Sequence, residues 1–177
     1  MTQPLRYHRA LVTLHWLLAV LLIAMLAVGT LTLKTVPNAS PDKIDALRGH
    51  MIAGGLILLL TLVRLIVRLS TRHPAPATTG NALLDRLAPL THWALYLMVL
   101  VMAGSGVAMS VLAGLPEIVF NGVGSLPVNF DALPPRAVHG IVAKLLMLAI
   151  GLHVAAALFH QFVRRDNLLH RMRWGRS

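Results

Sequence analysis

Uncharged, apolar stretches alternate with short polar segments along the whole chain. Residues 11–33 form the first stretch, 23 positions without a Lys, Arg, Asp or Glu. A second covers 49–69, interrupted late by Arg64 and Arg68, whose stems are expected to snorkel toward lipid headgroups. The third runs over 88–113 and the fourth over 137–163. A hydrocarbon layer of about 30 Å takes about 20 residues of helix, so each stretch is long enough to span. The first exceeds the apolar core of a signal peptide and no small-residue cleavage site follows closely, so it is expected to be retained. The pattern predicts an all-α, integral membrane four-helix bundle in one domain, 1–177. Residues 71–89, with Pro74, Pro76, Gly80 and Pro89, read as an irregular loop. Residues 115–135, with five glycines and prolines beyond Pro116, read as a longer turn-rich excursion.

Composition agrees: 56% of residues are hydrophobic and 12% charged, about half the charge of an average soluble chain. The absence of cysteine excludes disulfides, iron–sulfur clusters, thioether-attached haem and thiolate-bound zinc. The net charge of +10 would suit nucleic acid on a soluble protein, but its distribution points elsewhere. Eleven of the 16 cations lie in the N-terminus (Arg6, Arg9), the second connection (Arg64, Arg68, Arg72, Arg86) and the tail (Arg164, Arg165, Arg171, Arg173, Arg176). Lys34, Lys43, Arg48 and Arg136 lie on the other side, where Asp42, Asp45, Glu117 and Asp131 bring the sum to zero. The positive-inside rule then places both termini in the cytoplasm. The charge is a topology signal, and no nucleic-acid partner is expected.

Nine histidines carry the candidate chemistry. His8, His73 and His170 fall in polar segments and read as solvated. His15, His50, His92, His139, His153 and His160 lie at membrane level, where ionisable groups mark functional sites. In the fourth span His139, His153 and His160 follow at 14 and 7 residues, about 40° and 20° short of whole turns, so they share a face. His139 and His153 are about 21 Å apart along the axis. That spacing suits two flat macrocycles near opposite leaflets, each with one axial imidazole from this helix and one from another. Depth pairs His50 with His139 near the outer boundary. For His15, spacing leaves both His153 and His160 open. Hydrogen-bonding histidines, or zinc or proton sites in a transporter, are the competing readings. Gly49, Gly54, Gly55, Gly104, Gly106, Gly140 and Gly151 leave room either for a flat ring or for close helix packing. Lys144 faces about 140° away from His139 and is expected to snorkel.

Several segments resemble the bacterial cytochrome b561 family: T-L-H-W at 13–16, L-R-G-H at 47–50, H-G at 139–140, G-L-H-V-A-A-A-L-F-H at 151–160 and R-D-N-L-L-H-R-M at 165–172. The resemblance covers nearly the whole chain, and 151–172 is its most specific part. It implies a multi-pass inner-membrane protein with two haem b groups. The axial ligands it implies are His15 with His153 for the inner haem and His50 with His139 for the outer. His160 and His92 would serve a quinone or its protons near the inner haem edge. The implied activity passes electrons from superoxide, or another one-electron donor, to ubiquinone. Arg48 and Arg136, each just ahead of an outer ligand, are the candidates for steering an anion. The alternative role is a membrane relay between a periplasmic dehydrogenase and quinone.

Overall fold

A computed structural model describes residues 6–75 and 80–174; Pro76 and Arg176 lie outside them. Among the described residues every regular element is helical. Helix α1 covers Arg9–Val28 and continues through a wider π-type turn at Gly29–Leu33. Helix α2 covers Asp42–Ser70, α3 Ala82–Leu112, the short α4 Leu115–Phe120, and α5 Pro134–Phe159. A second π-type turn, His160–Arg164, extends α5, and a 3₁₀ turn at Leu168–Met172 follows. Among the described residues four helices are long and apolar enough to cross a membrane: Arg9–Leu33, Asp42–Ser70, Asp85–Leu112 and Pro134–Arg164.

Three boundaries differ from the sequence reading. Helix α2 begins seven residues earlier than the apolar run, because Asp42 and Asp45 in its first turn favour the positive end of the helix dipole. Charge ended the apolar pattern there without ending the helix. Pro89 belongs to α3 rather than to the loop before it; its ring fixes a helical φ, at the loss of one backbone bond. Helix α4 had no counterpart among the expected spans. It starts after Gly114, whose φ of 62° reverses the chain, and Pro116 occupies its first turn.

Helix α5 lies along α3, α3 along α2, and α2 along α1, whereas α5 has little direct packing on α1 or α2. Leu18, Ile57, Val99 and Leu146 join the four long helices in one buried layer at mid-depth. Leu146 is seven residues from both His139 and His153, so the layer separates two levels of the bundle. A second buried cluster, Leu47, Leu115 and Val119, fixes α4 over the start of α2. Here Lys43 is only 6% exposed. Its ammonium donates to the Leu33 and Val36 carbonyls at 2.5 and 2.8 Å, which closes the end of the first span.

The described N- and C-terminal segments meet at the opposite face. The Tyr7 amide donates to the Arg171 carbonyl at 3.2 Å. The Trp16 indole donates to the Met172 carbonyl at 3.0 Å, and the Trp174 indole to the Thr13 hydroxyl at 3.1 Å. Arg171 reaches the Ala75 carbonyl at 2.6 Å. The tail is thus a strap across the ends of α1 and the α2–α3 connection.

Candidate histidine centres

The two levels on either side of the leucine layer each hold facing imidazoles. On the side of the long 121–133 connection, the loop side, His50 of α2 and His139 of α5 have ring centres 6.1 Å apart, with planes at 68°. On the side of the termini, His15 of α1 and His153 of α5 are 6.2 Å apart, at 71°. All four rings are half-buried. Because α5 stands off from α1 and α2, these rings face each other across a seam that helix packing leaves incompletely filled.

Two imidazoles bound to one metal from opposite sides, through bonds of about 2 Å, place their ring centres about 6 Å apart. Both pairs meet that separation, and neutral imidazole is the donor an axial haem site uses. The surroundings also fit. His50 Nδ1 is buried without a hydrogen-bond partner. A Cβ on Gly106 would stand 3.3 Å from His139 Cε1, so α3 keeps a bare backbone against that ring. At Gly49, Gly54, Gly55, Gly104 and Gly151 a Cβ would meet nothing within 4 Å. Close packing within this chain therefore does not explain those five glycines. Among the described residues, no three His, Asp or Glu side chains are placed to hold a metal ion together.

His139 is oriented from behind. Its Nδ1 lies 3.1 Å from both the Met102 carbonyl and the Ser105 hydroxyl, and Ser105 in turn donates to Met102 at 2.9 Å. A carbonyl only accepts, so Nδ1 carries the proton and Nε2 keeps the lone pair for a metal. Gly106 and Ser105 make this arrangement together, one by its absence of side chain.

The termini side is built differently. His92 of α3 is 5.6 Å from His153, so three imidazoles share this level. Arg64 does not snorkel as the sequence reading expects. It turns into the bundle, donates to the Tyr96 hydroxyl, stacks over that ring at 5.2 Å and approaches His15 Nδ1 at 3.4 Å. The phenol and its π-face supply contacts that lipid cannot. Its Nε is buried without a partner. Arg68 stacks on Trp93 at 5.5 Å.

His160 is turned away from His15 and bonds Asp166 through Nδ1 at 2.5 Å. Asp166 also accepts from the Leu168 amide at 3.2 Å, between the left-handed residues Arg165 and Asn167. Burial alone would raise the Asp166 pKa, but the bonds from His160 and Leu168 and the nearby Arg164 hold it below the usual carboxylate value. Of the histidines read as solvated, His8 caps α1 by accepting from the Ala10 amide at 3.3 Å, and His170 meets Arg6 at 2.5 Å. His73 departs from that reading, since its Nε2 is buried.

On the loop face Arg48 is engaged. It donates to the Val119 carbonyl at 2.7 and 3.1 Å and pairs with Asp45 at 2.5 Å. Arg136 is half-buried in the first turn of α5, and its side chain makes no hydrogen bond or ion pair among the described residues. Lys144 is exposed and pairs with none of the loop-face acids.

Known proteins resemble this chain along nearly its whole length. The sequence profile of prokaryotic cytochrome b561 matches residues 6–175. The chain is 29% identical to the probable superoxide oxidase CybB of Yersinia pestis, over 94% of this chain and 95% of that one. It is 30% identical to a cytochrome b562 of Cereibacter sphaeroides, over 97% and 98%. It is 27% identical to cytochrome b561 homolog 2 of Escherichia coli, over 96% and 92%. The chain belongs to the prokaryotic cytochrome b561 family. It is a haem b-binding electron-transfer protein with multiple spans in the bacterial inner membrane.

Proposed function

We propose that this cytochrome carries two b haems in series and oxidises superoxide at the loop-bearing face while reducing ubiquinone. Two superoxide anions, two protons and one ubiquinone give two molecules of oxygen and one ubiquinol. The observation that carries the two-centre reading is the pair of facing imidazoles, 6.2 and 6.1 Å apart, on opposite sides of one apolar layer. When bound, each haem supplies a reversible one-electron iron couple.

His15 with His153, and His50 with His139, hold the two groups. The Met102 carbonyl keeps the His139 ring turned and its Nε2 unprotonated. The apolar layer of Leu18, Ile57, Val99 and Leu146 separates the two levels. The bias of arginines toward the side of the chain ends puts both termini in the cytoplasm and the loop side in the periplasm. Arg136 is then the cation available to an anion approaching the outer pair, since Arg48 is committed to Val119 and Asp45. His92 beside His153, and His160 with Asp166 at the cytoplasmic edge, are placed to serve a quinone or its protons. Support for superoxide as donor comes from the name of the Yersinia relative.

The relay reading draws on the loop face itself, whose four cations and four acids cancel and give an anion no general attraction. A superoxide pulse in a stopped-flow cell separates the two. The oxidase reading expects reduction of the haem bands within the pulse and ubiquinol formation when ubiquinone is present. Intact haem bands that stay oxidised would reject superoxide as donor and leave the relay.

A further inference from the structure

We propose that Arg64 makes the haem on the side of the termini the stronger electron acceptor of the two, so that electrons settle there rather than at the loop side. The inference rests on the two-haem reading above and gives it a direction.

A guanidinium stays protonated in proteins, and this one is held inside the bundle by Tyr96, whose hydroxyl and ring face it engages together. Its Nη2 lies 3.4 Å from His15 Nδ1. At that length the contact is too long to fix where the ring carries its proton, yet near enough for the charge to act through a medium less polar than water. A fixed positive charge beside an iron ligand favours the state of the centre with one more electron. Arg68, stacked on Trp93 at the same end, adds to it.

The loop side is arranged in the opposite sense. His139 Nδ1 faces a carbonyl acceptor, which raises the basicity of the ring and favours the oxidised state of whatever it ligates. The cations nearby are committed elsewhere or make no hydrogen bond to the ring nitrogens. Arg48 is paired with Asp45. Lys43 is spent on two carbonyls. Arg136, half-buried in the first turn of α5, makes no hydrogen bond to either loop-side imidazole, whereas Arg64 approaches His15 to 3.4 Å. Two independent features, a cation at one pair and an acceptor at the other, thus point the same way.

Potentiometric titration of the purified, haem-loaded protein tests this. In the unmodified chain the haem that survives His50→Ala, the one near the termini, is expected to have the higher midpoint. Arg64→Met lowers that midpoint, shifting the sharing of an electron between the haems at least tenfold toward the loop side, about 59 mV. The loop-side midpoint stays in place, and Arg64→Lys, which keeps the charge, recovers most of the shift. An unchanged midpoint in Arg64→Met with both haems bound overturns the proposal. If Arg64→Met fails to load the haem, the order in the unmodified chain decides, and a termini-side midpoint equal to or below the other overturns it. Failure of the two-haem reading is distinct, since it appears before any titration as fewer than two haems per chain.

Discussion

At the loop side, a histidine is held from behind by a serine and a backbone carbonyl, under a short helix packed through leucine and valine. At the other end, a histidine of the same kind stands beside a buried guanidinium, among three imidazoles, beneath a strap of polar contacts. The ring separations differ by 0.1 Å. What the rings can hold is therefore the same at both ends, while everything that tunes it differs. Ligand spacing follows from heptad-like steps along α5, which repeat. Surroundings come from α2, α3 and the connections, which do not.

The largest effect that can separate the ends is removal of a ligand. His139→Ala is expected to halve the haem content per chain, and His153→Ala to remove the other half, as measured by pyridine haemochrome. Loss of both haems from either variant would mean that the ends are not independent. A subtler break is Gly106→Val, whose Cβ starts 3.3 Å from the His139 ring. It should abolish most of the low-spin electron paramagnetic resonance signal of the loop-side haem and spare the other.

Lys43→Met leaves two carbonyls without their donor and should lower stability by about 1–3 kcal/mol, read as thermal unfolding in detergent. Lys34→Met, at an exposed position, should stay within about 0.5 kcal/mol. The smallest effect concerns the strap. The Asp166 pKa is lowered in the fold, so its contribution is complete above the unfolded-chain value and is lost as pH falls through the folded one. The tail is expected to loosen only below about pH 4, and Asp166→Asn should loosen it at neutral pH. Limited proteolysis of the tail and Trp174 fluorescence report both.

The spans and the shared face of His139 and His153 were legible because a helix repeats, and repeats show in a single sequence. Spacing alone left His15 between two partners; the structure brings it to His153 and turns His160 to Asp166. Other features depended on contacts far apart in the chain. Trp16 meets Met172 across 156 positions and Arg48 meets Val119 across 71, with no local signal for either. Arg64 misled for a physical reason: an arginine near a helix end snorkels by default, and only Tyr96, 32 residues on, makes the inward path better. Lys43 shows the converse, a charged residue outside every apolar run that is nevertheless among the most buried side chains. Helix α4 left a readable trace, a glycine followed by a proline two residues later.

The mid-depth layer of Leu18, Ile57, Val99 and Leu146 also sets how this chain can tolerate changes in length. One residue inserted between Leu146 and His153 would turn that ring by about 100° relative to the layer, away from His15, and leave His139 in register. A seven-residue insertion would nearly restore the face but lift the ring by about 10 Å, past its partner. The segments between ligand and layer are accordingly closed to insertion and deletion. The 121–133 connection aligns no ligand ring, but Leu126 and Phe130 pack on the Leu47, Leu115 and Val119 cluster, so changes in its length act on that cluster rather than on ring register.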